Sequence, residues 1–492
     1  MKATRLLILF LALLTVVGVL AACAETKTTP TDTLPPEETN AEETRVTHDL
    51  PPMTFDGYTF GMLHWFIDGW TIHGTDLYAE DLSSDPVSDA VYTRNSRLSE
   101  TLDIDFEYDE LAYNEVVNTI RQSIRSNDDF YDLVYARLTD VAPVLLEGAF
   151  LDYNYDLPYI NLDKPYWDQS VREQLSFGGH LFMEATDINI TDKNATDSIL
   201  FNKQLVRDLN LPNYYEMVNE GNWTIDELYS NMTAFDGDLN GDGNLNPDDD
   251  IMGYLGQADV MMSLFYGGGG HLTVKDDYDL PVYDFNTEEN VDLVMQILDI
   301  MYDPSFINAH KYGGNFDYCD QFVAGHGLFF WTRLDSVVLL RGEEAVDFGI
   351  LPTPKRDEAQ PEYMSMLSEH LTGLPSVLAS ETNPETVSYI MEAMAAASHY
   401  DLQSAYYDVT LKTKSARDDE SQDMLDIIFK HRILDIGELC QFGDFSTTLL
   451  LWPSGIGDYN IMSRYASSES KIEADVEKFI AAVDEIDARR GM

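Results

Sequence analysis

Apolar residues at positions 58, 60 and 62 of Tyr58-Thr59-Phe60-Gly61-Met62-Leu63-His64 recur with a period of two, the mark of a half-buried strand. Ile104-Asp105-Phe106-Glu107-Tyr108 alternates in the same way, and Tyr131 to Ala136 reads as a third strand. Helical periods lie between and after them, clearest in Val116, Val117, Ile120 and Ile124 and again from Val141 to Leu146. Strands that alternate with helices can bury both faces only by forming a mostly parallel sheet with helices packed against it. The chain is therefore expected to be α/β.

The middle of the chain is more helical. Trp223-Thr224-Ile225-Asp226-Glu227-Leu228 predicts a helix start, with Thr224 as cap, Glu227 completing the box and Trp223 stapled onto Leu228. Gly327 to Trp331 and Phe348 to Pro352 read as buried strands. Asn383-Pro384 predicts a helix carrying Val387, Ile390, Met391 and Met394, with Asn383 as N-cap and Pro384 at the first helical position.

The N-terminus sets the compartment. Lys2 and Arg5 precede an uncharged apolar run from Leu6 to Leu20, followed by Ala21-Ala22-Cys23. The run is at the short end for a membrane span and has the flanks of a secretory signal. A Cys after small residues resembles the lipobox of bacterial lipoproteins, which implies cleavage after residue 22 and lipid on Cys23. Several acyl chains hold a protein to a membrane durably. Residues 23–52, rich in Thr, Glu and Pro, are too polar to form a core and read as a disordered tether. The remaining body, about 440 residues, is too long for one ordinary core and suits two large lobes.

Charge narrows the partners. Thirty Lys and Arg against 87 Asp and Glu give a formal net charge of −57. Such a surface repels phosphate backbones, so nucleic acid is excluded as a partner, and a neutral ligand is the easiest to reconcile with it. With Cys23 assigned to lipid, Cys319 and Cys440 are left either to pair or to stand as thiols.

Several phrases then carry a resemblance. Lys164-Pro165-Tyr166-Trp167-Asp168-Gln169, Phe201-Asn202-Lys203-Gln204-Leu205, Gly221-Asn222-Trp223-Thr224, Phe322 to Gly327, Asp347 to Pro352 and Ala405 to Arg417 occur in one order along nearly the whole body. This ordered set resembles a Gram-positive, carbohydrate-type branch of the extracellular solute-binding lipoproteins that serve ATP-binding-cassette (ABC) importers. The resemblance implies a two-lobed periplasmic-binding-protein-like fold with an interlobe cleft and hinge crossovers. It places 53–163 plus about 368–400 in an N-terminal lobe and 164–367 plus about 401–492 in a C-terminal lobe. It further implies a monomer at the extracellular face of the cell membrane, handing a solute, most simply an oligosaccharide, to permease subunits.

One loop is read without the family. Asp238, Asn240, Asp242, Asn246 and Asp249 stand at positions 1, 3, 5, 9 and 12 of a calcium-loop spacing, Asn244 offers its carbonyl at position 7, and Gly243 takes the sixth place. Calcium needs six to eight oxygens around a tight turn, so a structural Ca²⁺ is expected here. The plain alternative is a solvated acidic turn.

Sugars present apolar ring faces and hydroxyl rims, so candidate contacts are aromatics beside charged or amide groups at strand ends. Trp65, Trp70 and His64 follow the first strand, Arg137 the third, and Trp331 and Arg333 a strand of the second lobe. Asp187 and Asn189 lie in a polar turn, and Glu369 and His370 near the proposed crossover. The chain carries no G-x-S-x-G, no H-E-x-x-H and no phosphate-binding loop, so it is not expected to be an enzyme. A peptide-binding lipoprotein, and more remotely a glycoside hydrolase, are the alternatives.

Overall fold

The computed structural model describes residues 47–491 apart from 68–75, 309–318, 341–345, 412–418 and 448–456. The signal run, Cys23 and Trp70 lie outside the described residues. Two mixed sheets organise the body. In the first, the strand Tyr58–Phe66 sits between Ile104–Ala112 and Leu133–Arg137, parallel to both, and Gly373–Ser376 closes the edge antiparallel to Leu133–Arg137. The second has five strands in the order Phe348–Leu351, Asp197–Asn202, Gly327–Arg333, Met252–Gly256 and Phe306–Asn308. Only its last two pairings are parallel. The expectation of a mostly parallel sheet therefore describes the first sheet and fails for the second, where the chain returns from distant segments rather than by successive crossovers.

Local chemistry explains most element boundaries. The helix Pro86–Leu102 is capped by Asp85, whose carboxylate accepts the Ser88 N–H, and it ends in a left-handed Asp103. Thr224 caps Ile225–Met232 through the Glu227 N–H, and Trp223 is wholly buried beside it. Asn383 does not cap Pro384–Tyr400: its side chain makes no cap hydrogen bond, and its amide donates instead to the Thr382 hydroxyl. The missing N–H of Pro384 leaves that helix one fewer donor to satisfy.

Thr47 to Pro52, placed with the tether on composition, is held against the body. Lys164 pairs with Asp49 at 2.7 Å and donates to the Thr47 carbonyl, and the Tyr389 hydroxyl donates to the Pro51 carbonyl. Neither Cys319 nor Cys440 is in a disulfide, and burial pushes the Cys440 thiol up to about 12. Among the described residues no helix is long and apolar enough to cross a membrane.

Candidate functional site

The segment Ser365 to Ser376 ties the two sheets together. Ser365–Met366 pairs with Arg432–Ile433, and Leu367 bridges Thr196 at the entry to the strand Asp197–Asn202. Four residues on, the carbonyls of Glu369 and Thr372 accept the N–H groups of Thr139 and Leu138, which open the first-lobe helix Leu138–Leu146. Gly373 then enters the first sheet opposite Arg137. Glu369 and His370 thus stand where the chain passes from one lobe to the other.

Strand register brings further groups to this point. Asp197 lies across from Arg333, and Ile199 across from Trp331. Trp331 is 3% exposed, its indole N–H donates to Asp197 at 3.3 Å, and the Arg333 guanidinium lies over its ring at 5.1 Å. Arg333 covers the ring face proposed for stacking. His370, with a side chain 45% exposed, pairs with Glu369 at 3.3 Å, while Glu369 itself is 2% exposed. Burial pushes the Glu369 carboxyl up and His370 opposes it. Burial also lifts Asp197, to about 7, against the pull of Arg333.

Other candidates divide. Trp65 and His64 are buried, His64 stacked on Trp65 at 6.0 Å and tilted against Tyr135 at 5.4 Å. Trp65 packs against the crossover, since a Cβ at Gly373 would stand 2.7 Å from its Nε1. Arg137 pairs with Asp140 at 2.7 Å and lies 4.0 Å over the Tyr113 ring. Asp187 and Asn189 are elsewhere. Asp187 holds Lys193 at 3.0 Å and His399 at 2.5 Å, and the carbonyls of Asp187 and Asn189 accept from Gln403. These contacts are structural: they continue a chain of alternating charges, Asp168–Arg432–Asp192–Lys193–Asp187, that ends against His399.

Residues that sequence reasoning missed complete the site. Glu438, on the short helix Ile436–Leu439, is 4% exposed and is pushed well up by burial and by Glu369. The Tyr266 hydroxyl lies beside it, and Ser263, one turn earlier on the helix Val260–Gly267, lies beside Asp197. Tyr266 and Asp435 also line a cavity of about 450 Å³ with Met364, His271, His431 and Ile436. That volume is in the range of small-molecule sites, about 300–1,000 Å³. Only the Asp opening the apolar run Ser198–Phe201 offered a sequence signal.

In the acidic loop, Asp238 accepts the N–H groups of Gly241 and Gly243 at 2.6 and 2.8 Å, and Asp242 accepts that of Asn244 at 2.7 Å. These amides hold the exposed Asp238 carboxyl below its ordinary range. The buried anchor is Asp250 rather than Asp249, taking the Leu239 and Asn246 N–H groups at 2.9 and 3.0 Å. Gly243 has φ +81°, as the sixth position of such a loop requires. Among the described residues no three His, Cys, Asp or Glu side chains are grouped to hold a metal. The spacing and turn therefore fit a calcium loop, while the carboxylates are directed to the loop's own amides.

No protein-family model matches this chain, and no curated protein matches it in sequence. Solved structures do. The sugar-binding protein MalE of Xanthomonas citri superposes with a TM-score of 0.58 at 10% identity, over 87% of this chain and 99% of that one. The maltose-binding MalE of Listeria monocytogenes, solved with maltose, gives 0.56 at 14% identity over 86% and 99%. A cyclo/maltodextrin-binding protein solved with maltotetraose gives 0.53 at 14% over 87% and 98%. The fold is that of the two-lobed solute-binding proteins. In a solute-binding-protein fold the crossover segments are where hinge closure brings the lobes onto a ligand. Glu369, His370, Trp331 and Arg333 converge there; Asp187 and Asn189 do not.

Proposed function

We propose that this chain is a lipid-anchored extracellular solute-binding protein that captures an oligosaccharide for an ABC importer. The observation that carries the reading is the convergence of Arg333, His370, Glu369 and Asp197 at the lobe crossover of a solute-binding-protein fold. Charged and amide groups of this kind fix the orientation of hydroxyl-rich ligands. The likeness to proteins solved with maltose and maltotetraose favours a sugar over a peptide, and the lipobox-like Cys23 supports the anchor. The test is a thermal-shift screen of the intact chain against maltooligosaccharides, other oligosaccharides and short peptides. A ligand that binds only the folded state stabilises it by about 2.7 kcal/mol at a hundredfold excess over Kd. A shift with one sugar class is expected; shifts with peptides alone would discard the sugar and keep the binding role.

Calcium in the 238–249 loop belongs to the same proposal, as a brace for that loop. The oxygens at the EF-hand-like positions support it, and binding requires Asp238 and Asp242 to exchange backbone amides for the metal. Chelation is expected to lower the melting temperature, and Asp242→Ala to remove the calcium response while lowering the apo value only by the loss of its contact with the Asn244 N–H. A melting curve indifferent to calcium would leave the loop as an amide-stabilised turn.

A further inference from the structure

One helix is fastened to both lobes. Ile461–Arg490 runs for 30 residues and ends in a left-handed Gly491. At 1.5 Å per residue it is a rod of about 45 Å. Most of its length packs on the second lobe. The Tyr465 ring stands 5.7 Å from Phe285 and 5.6 Å from Phe445, Asp475 accepts the Gly443 N–H at 3.0 Å, and Phe479 lies 5.8 Å from Phe442. Further along, Val483 meets the turn Phe177–His180, where a Cβ at Gly178 would stand 2.9 Å from its Cγ1. That turn is itself tied to the second lobe, because the Gly178 N–H donates to the Asp279 carbonyl in the hairpin of Thr273–Lys275 and Pro281–Tyr283.

The last turn of the helix reaches the first lobe. The Arg490 guanidinium holds Asp156 with two prongs, Nη1 on Oδ1 at 3.0 Å and Nη2 on Oδ2, and lies 5.4 Å over the Tyr155 ring. His180, wholly buried, faces Asp152 through Nδ1 at 2.6 Å and Asp487 through Nε2 at 3.0 Å. The Arg489 guanidinium lies over Gly148, 2.8 Å from where a Cβ would stand. The loop that carries these carboxylates is bound to the first sheet. Leu151 donates to the Val377 carbonyl and Ala379 to that of Ala149, and the Tyr153 hydroxyl donates to the Pro375 carbonyl of the edge strand, each at 2.8 Å.

This attachment at both ends constrains the hinge. The crossover segments are short stretches of extended chain, whereas the helix is stiff and stays with the second lobe. Hinge closure turns the first lobe against the far end of that rod. The contacts there are made or broken rather than stretched, since a two-pronged guanidinium–carboxylate pair depends on direction as well as distance. We propose that the last turn, Asp487 to Arg490, is a latch on the hinge: it holds the lobes at the angle of this structure and must give way when they turn. Asp156, Asp152 and His180 form its catch. Solute affinity then depends on residues that never touch the solute, because the free energy that holds the angle opposes closure. The latch goes beyond the solute-binding reading and rests on the two-lobed fold alone.

The test is double electron–electron resonance on the intact chain without added solute. Spin labels are carried on non-natural residues at Gln122 in the first lobe and Glu216 in the second, both exposed. The parent is expected to give one narrow interlobe distance. Arg490→Gln and Asp156→Asn should each widen it to about twice the parent's width, since domains without a firm tie move against one another by default. The double variant should go no further than either, because both remove the same contact. Asp487→Ala, which frees the His180 Nε2, should act in the same direction through a separate contact. Lys471→Ala, which removes the Lys471–Asp444 pair within the second lobe, should leave the width unchanged. Near-ultraviolet circular dichroism confirms that each variant stays folded. An unchanged width in Arg490→Gln, Asp156→Asn and Asp487→Ala, or equal widening by Lys471→Ala, would overturn the proposal. No sugar enters the measurement, so failure of the sugar reading leaves its outcome standing.

Discussion

Replacing Arg432 with Met is expected to destabilise the protein by about 3–5 kcal/mol, the cost of breaking a buried ion pair by removing one partner. Arg432 is 2% exposed and lies between Asp168 at 2.6 Å and Asp192 at 2.7 Å, with Asp192 wholly buried. Without the guanidinium, both carboxylates lose their shared cation at the point where the strand Arg432–Ile433 pairs with Ser365–Met366. A double variant that adds Asp192→Asn should recover part of the loss, because the orphaned charge goes with it. Urea unfolding followed by circular dichroism measures both. The pair also carries a pH signature. Burial alone would raise the Asp168 carboxyl, but Arg432, the Val171 N–H and the Ser170 hydroxyl outweigh it and hold it at about 2. A carboxyl depressed in the folded state contributes stability above its unfolded value of about 3.9 and loses it as pH falls towards the folded one. The parent should therefore lose stability between about pH 4 and pH 2, and Arg432→Met should flatten that limb. A variant as stable as the parent would show that the chain of charges contributes nothing net.

Trp223→Ala is expected to cost a similar amount, about 3–5 kcal/mol, by opening a cavity in the second lobe. The indole is wholly buried, packs on Tyr214 and Phe329 with ring centroids 5.5 Å away in each case, and donates to the Pro352 carbonyl at 2.9 Å. Trp223→Phe keeps most of the apolar contact and forfeits the hydrogen bond, so it should fall between the two. Because Trp223 lies under a helix start rather than in the site, ligand affinity of the surviving folded protein should be unchanged. A drop in affinity without a drop in stability would place the indole in the binding machinery instead.

Periodicity alone located the first-lobe strands near residues 58, 104 and 133 and the buried strands near 327 and 348, because hydrophobic spacing and strand pitch are the same physical fact read twice. The cap at Thr224 was legible, while Asn383, with φ −126° and ψ 52°, stands at the helix start without its side chain making a cap hydrogen bond. The mixed second sheet was not legible, since which strands pair across distant segments depends on how lobes fold back on one another rather than on any local pattern.

The candidate site divides along the same line. Strand-end position named Trp331 and Arg333 as candidates and the proposed crossover named Glu369 and His370, and the fold sets these four near one another. Asp187 met the same criteria but was claimed by Lys193 and His399, partners brought near only by the fold. Glu438 and Tyr266 carried no local signal at all; they matter because the fold buries them beside Glu369. Composition determined the net charge and periodicity the class of fold, since these follow from which side chains a chain carries and which of them it can bury together. Only the tertiary structure decided which carboxylates are answered by a cation and which remain open, because a charge is satisfied or orphaned by its neighbours in space.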